Sequence, residues 1–222
     1  MKRGVFHRGL LLIVILGTTF LSFSARSASA AASTSKFSGV LTTAAGQPIP
    51  NAAVTLGQAF NYTAADGSFV LEVAPGSYQL GINYNGGSGV PPFNLIDPTI
   101  DLSAGDVVQN LAIPFVTVNV TVLDGNGNPA AGANLSGGTA QGAISVLPGG
   151  SSTLFVHAQG GRTDANGKLS YLSVLGSGPT TGQLVASGGS PEAQVTIPPI
   201  TTDPTNITLF LVPIPTAVAL SS

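Results

Sequence analysis

The chain has 222 residues, only 7% of them charged, with nine Asp and Glu, seven Lys and Arg, two His and no Cys. The lack of cysteine excludes disulfides, thiolate metal sites, a cysteine nucleophile and a lipidated cysteine anchor. So few cations cannot neutralise a phosphate backbone, so no nucleic-acid partner is expected, and anionic membrane surfaces gain little hold.

Residues 1–30 read as a signal peptide. Lys2, Arg3 and Arg8 form a basic start, Leu10 to Phe23 an apolar run, and Ala28-Ser29-Ala30 a small-residue cleavage site. Cleavage after Ala30 removes Lys2, Arg3, Arg8 and Arg26 and leaves Lys36, Arg162 and Lys168 against nine acids. The expected product is acidic, secreted or periplasmic, with an association at the cell surface in view, and it retains no membrane span. Residues 31–35 are a flexible lead.

The first β-domain is expected over 36–113. Phe37, Gly39 and Leu41 share one face of its first strand, and Gly46-Gln47-Pro48 turns the chain toward a second strand with Val54 and Leu56 inward. Asp66-Gly67 makes a hairpin whose glycine suits a positive φ, Phe69, Leu71 and Val73 alternate, and Pro75-Gly76 turns again. Tyr78, Leu80, Ile82 and Tyr84 then mark one face of a half-buried strand. The stretch 85–98 has no regular period and reads as a long loop, followed by closing strands over 99–102 and 107–113.

A second β-domain is expected over 114–214, with a tail at 215–222. Val116, Val118, Val120 and Val122 alternate with polar residues, and Gly127-Asn128-Pro129 repeats the earlier turn. Thr163-Asp164-Ala165-Asn166-Gly167 then returns the grammar of Thr63-Ala64-Ala65-Asp66-Gly67. Between the two lies a Gly-, Ser- and Ala-rich insertion, 137–161, with extra strands expected over 143–146 and 152–158. Gly and Pro recur too often for an amphipathic helix anywhere after residue 30. The fold class is all-β: two tandem sandwiches after a signal peptide.

Residues 37–84 resemble carboxypeptidase regulatory-like domains, which are transthyretin-like sandwiches also grouped with carbohydrate-binding-like folds. Residues 116–188 are similar to the group-one bacterial immunoglobulin-like repeats of invasins and intimins. The resemblance implies shape rather than reaction. Gly46, Pro48, Asp66, Gly67, Pro75, Gly76, Gly127, Pro129, Asn166 and Gly167 are turn residues, and the peptidase catalytic domain is absent. It also brings in internal Lys–Asn isopeptide bonds of related surface adhesins, for which Lys36, Glu72 and Asn110 are the residues to consider.

Chemistry is thinly provided. His157 is the sole histidine after the signal, too little for a zinc site or a serine triad. Glu72 and Glu192 fall in different domains, and Asp97, Asp101 and Asp106 read as strand and turn edges rather than a glycosidase pair. Asp124, Asn126 and Asn128 alternate like half a calcium loop, but Pro129 interrupts it, so an Asx-rich turn is expected. The sequons at Asn61, Asn119, Asn134 and Asn206 are read as chance matches.

No cofactor and no catalysis are expected. The reading is a non-catalytic spacer or adhesive module whose partner is a protein or glycan of the cell envelope or extracellular matrix, with 85–98 and 137–161 as contact loops. The alternative is a carbohydrate-binding module in which Phe60, Tyr62, Tyr84, Asn85 and Phe93 present aromatic faces beside hydrogen-bonding groups.

Overall fold

The computed structural model describes residues 33–87, 89–147, 150–157, 160–187 and 192–211. The signal segment 1–30 and the residues beyond 211 lie outside them. The described residues are all strand, turn and loop, with no helix.

In the first sandwich, β1 (Ser35–Thr43) pairs antiparallel with β4 (Ser68–Val73) and parallel with β7 (Val107–Val108) and β8 (Leu111–Ile113). The facing sheet contains β2 (Ala53–Leu56), β3 (Ala59–Tyr62), β5 (Ser77–Tyr84) and β6 (Phe93–Asp101), in the order β6-β5-β2-β3. The period-2 alternation sends Phe37, Leu41, Val54, Leu56, Phe69, Leu71, Leu80 and Ile82 into one core between the two sheets. Each fully buried Leu or Phe contributes about 1.5–3 kcal/mol.

The second sandwich repeats this plan. Here β9 (Phe115–Asp124) pairs antiparallel with β14 (Lys168–Val174) and parallel with β17 (Thr205–Leu211). The facing sheet runs β13 (Gly160–Arg162), β10 (Asn134–Ser136), β15 (Thr180–Val185), β16 (Glu192–Ile197). Val116, Val118, Val120 and Val122 enter its core with Leu135, Leu184 and Leu209.

Hydrogen bonds recur between the halves. Leu41 N–H donates to Gly67 O as Val122 N–H does to Gly167 O, and Ile49 N–H to Leu41 O as Ala130 N–H does to Val122 O. Gly46, Gly67, Gly127 and Gly167 have φ between +69° and +84°. Gly76 is not among the positive-φ glycines; its carbonyl instead accepts from Leu102 N–H.

Two expectations need correction. The irregular stretch ends at residue 92 rather than 98, because Phe93 to Asp101 is strand. Pro98 is accommodated because the pairing shifts there from Gln79–Thr99 to Gly81–Ile96, so residues 97 and 98 oppose Leu80 alone in a bulge. The other correction concerns the insertion, whose strands are β11 (Ala140–Ile144) and β12 (Ser152–Val156). They rise from the connection between β10 and β13 of the second sandwich, but β12 pairs with β6 and extends the sheet of the first.

Candidate functional site

The geometry with most consequence is the pairing of the first and last strand of each sandwich. Phe37 and Ser38 oppose Val107 and Val108, and Leu41, Thr42 and Thr43 oppose Leu111, Ala112 and Ile113, all in parallel. Between these runs Gln109 N–H donates to Ser38 O, and the amide oxygen of Asn110 accepts from Val40 N–H at 3.0 Å, closing the break between β7 and β8. Gly39 permits the approach: a Cβ there would lie 1.9 Å from Gln109 O. In the second sandwich the parallel register is unbroken from Thr205–Val118 to Leu211–Asp124.

The β11–β12 hairpin joins the halves. Register pairs run from Thr153–Ile96 to Val156–Phe93, and Leu154 and Val156 are fully buried in the first core together with Ala140. On its other side Gly142 lies so close to the end of β14 that a Cβ would sit 2.2 Å from Leu175 O. His157 fastens the stem, with its N–H donating to Pro92 O at 2.9 Å. Its ring spans Thr139 Oγ1 at Nδ1 (2.9 Å) and Asn94 Nδ2 at Nε2 (3.2 Å). The Asn94 amide also bonds to Asn83 at 2.6 Å, so the ring is linked through Asn94 to β5. In this setting the imidazole is a strut.

The aromatic residues divide. Phe60 and Tyr62 are exposed on β3, with centroids 6.1 Å apart and edge to face. Tyr84 and Phe93 are buried, 5.6 Å apart, and Phe93 also meets Phe115. Tyr84 donates its hydroxyl to Gly87 O, and burial raises its pKa. The proposed platform of Phe60, Tyr62, Tyr84, Asn85 and Phe93 therefore does not form, because the alternation of β5 and β6 commits Tyr84 and Phe93 to the core. Asn61, between the exposed pair, donates to Val70 O and ties β3 to β4.

Four of the carboxylates, Asp66, Asp101, Asp124 and Asp164, serve their own turns. Asp124 accepts from Asn128 N–H and Asn126 N–H, and Asp164 from Lys168 N–H and Asn166 N–H; these bonds hold both carboxyls below the usual range. Asp101 is lowered by the Ser103 hydroxyl and amide, and Asp66 by Ser68. Asp106 accepts from Lys36 N–H. Lys36 and Glu72 form an exposed cross-strand pair at 3.2 Å, while Asn110 is engaged further along β1 at Val40. The structure does not bring the three isopeptide candidates together.

The sequence marks the Asn110 bridge only by a glycine inside the β1 run, Gly39, and marks the hairpin only as a strand, since the Leu154–Val156 alternation does not name its partner.

No family model and no curated relative matches the sequence. Among solved structures, the chain is similar to the shaft pilin SpaA from Lactobacillus rhamnosus GG, with 13% identity over 82% of this chain and 99% of that one and a TM-score of 0.35. A putative adhesin from Bacteroides ovatus aligns at 9% identity over 83% and 94%, with a TM-score of 0.37. A streptococcal ancillary pilin aligns at 13% identity, 82% coverage and a TM-score of 0.34. The chain spans 63% of that pilin and 34% of the Bacillus anthracis TIE protein, to which it is 13% identical over 80% of its own length with a TM-score of 0.30. At these scores the alignments add nothing to the strand pairing described above.

Proposed function

We propose that this is an exported, non-catalytic bacterial protein whose two sandwiches, 36–113 and 114–214, act as a load-bearing spacer or adhesive module at or outside the cell surface once residues 1–30 are removed. Its partner on this reading is a protein or glycan of the envelope or extracellular matrix.

The observation that carries the reading is the parallel pairing of first and last strands in both sandwiches. Tension drawn along the chain enters β9 at the Phe115 end and leaves β17 at Leu211, beside Asp124, so the two strands are pulled past one another. All the ladder bonds then share the load at once, and resistance to forced unfolding is a matter of rate. Asp66, Asp101, Asp124 and Asp164 are meanwhile occupied by their own turns and His157 by a strut, which agrees with a role in shape.

Stretching single molecules by their two ends tests the reading. Discrete, high-force unfolding events are expected. Smooth extension at near-zero force overturns it.

A further inference from the structure

The first sandwich is finished by a strand that the chain makes late. The β6 edge ends at Asp101, but β12, which covers it, begins at Ser152, after β9 and β10 of the other sandwich. Until β12 arrives, Phe93 and Leu95 lie beside an open row of backbone donors and acceptors, and the core lacks Leu154, Val156 and Ala140. Such an edge takes any strand with the right alternation.

The hairpin is set off at both ends by glycine. Gly137 and Gly138 lead into it from β10. Gly160 and Gly161, with φ of +139° and +152°, follow it as the start of β13, paired with Ser136 and Leu135. Strand β13 therefore stays in the second sandwich, while the two glycines after β10 leave the entry to the hairpin with few steric preferences.

We propose that the β11–β12 hairpin is exchangeable: it seats on β6 of a second copy of this chain as it seats on its own, joining copies through the Thr153–Ile96 to Val156–Phe93 register. The occupant is a second copy because only its hairpin reproduces every pairing on β6 and every side chain buried there, once the acceptor's own hairpin has left that edge. A tethered donor competes at an effective concentration on the order of mM. Closure within one chain therefore prevails in dilute solution, and exchange appears when chains fold crowded together. This goes beyond the spacer reading and does not depend on it, since it rests on the hairpin and β6 alone.

The absence of native cysteine gives a direct test. One sample carries Ile96→Cys and the other Thr153→Cys, the residues directly opposed in the register, so neither chain can form the cross-strand disulfide by itself. The two are unfolded, mixed, refolded across a concentration series and oxidised. A control mixes Ile96→Cys with Thr208→Cys, on the exposed face of β17. The expected result is a mixed disulfide dimer that rises with refolding concentration to several-fold above the control. Should either variant fail to fold, Asn94→Cys with Phe155→Cys reads the same register. A mixed dimer no more abundant than the control at every concentration, in whichever pair folds, overturns the proposal.

Discussion

Thr63 and Thr163 form the same latch in the two sandwiches. The Thr63 hydroxyl donates to Ile49 O at 2.6 Å and accepts from Ala52 N–H at 2.9 Å; the Thr163 hydroxyl donates to Ala130 O at 2.6 Å and accepts from Ala133 N–H at 2.9 Å. Both side chains are buried, so removing the hydroxyl strands two backbone groups away from water. Thr63→Val and Thr163→Val should each cost about 1–3 kcal/mol, and the Ser variants much less. Urea unfolding checks this: the midpoint should fall with the slope unchanged.

Gly46 and Gly67 share nearly the same φ, +80° and +79°, but not the same surroundings. A Cβ on Gly46 meets nothing within 4 Å, whereas one on Gly67 lies 2.4 Å from Leu41 O. Gly46→Ala should therefore cost only the backbone penalty of about 1–2 kcal/mol. Gly67→Ala should cost clearly more, and Gly167→Ala, whose Cβ would sit 2.5 Å from Val122 O, should behave like it. Equal losses at Gly46 and Gly67 in the same urea titration would contradict the close approach.

Leu154 lies in the insertion but is fully buried in the first core. Leu154→Ala should cost about 2–5 kcal/mol. Hydrogen exchange should locate the loss: amides of β5 and β6 become less protected, while those of β9 and β17 change less. The reverse order would place the hairpin with the second sandwich.

Acid should weaken the fold through its turns. Asp66, Asp101, Asp124 and Asp164 all have lowered pKa values in the folded chain. Their contribution is present above the unfolded carboxylate value of about 3.9 and is lost as pH falls through the depressed folded values. The melting temperature should hold from neutrality down to about pH 5 and then decline. Asp124→Asn combined with Asp164→Asn should flatten that decline; these groups are exposed, so the change is modest. At the other extreme, burial pushes the Tyr171 hydroxyl up to about 12. The unfolded chain then releases that proton first, and stability should fall as pH rises above about 10.

Much of this architecture is legible in the residues themselves. The Asp66-Gly67 and Asn166-Gly167 corners, the Gly-x-Pro turns and the period-2 runs of β5 and β9 are local signals, because turn chemistry and alternation act within a few residues. Strand partners are a different matter. Nothing near Leu154 says that it meets Leu95 rather than a strand of its own sandwich, since any apolar alternation satisfies an open edge. Pro98 hid the start of β6 because a bulge makes room for a residue that a regular ladder rejects. Tyr84 and Phe93 have the chemistry of a surface platform, yet Tyr84 continues the inward alternation of Leu80 and Ile82 and is buried with Phe93. The Asn110 bridge to Val40 depends on a parallel pairing formed across the whole first sandwich.

The most direct measurement compares unfolding forces for one chain held in two ways through introduced cysteine handles. Handles at residues 33 and 211 draw the terminal strands past each other. Handles at Ser35 and Val73, which oppose each other across β1 and β4, peel that ladder bond by bond. The paired terminal strands predict a force several-fold higher in the first geometry. Equal forces, or a weaker response between the ends, would contradict a load-bearing role.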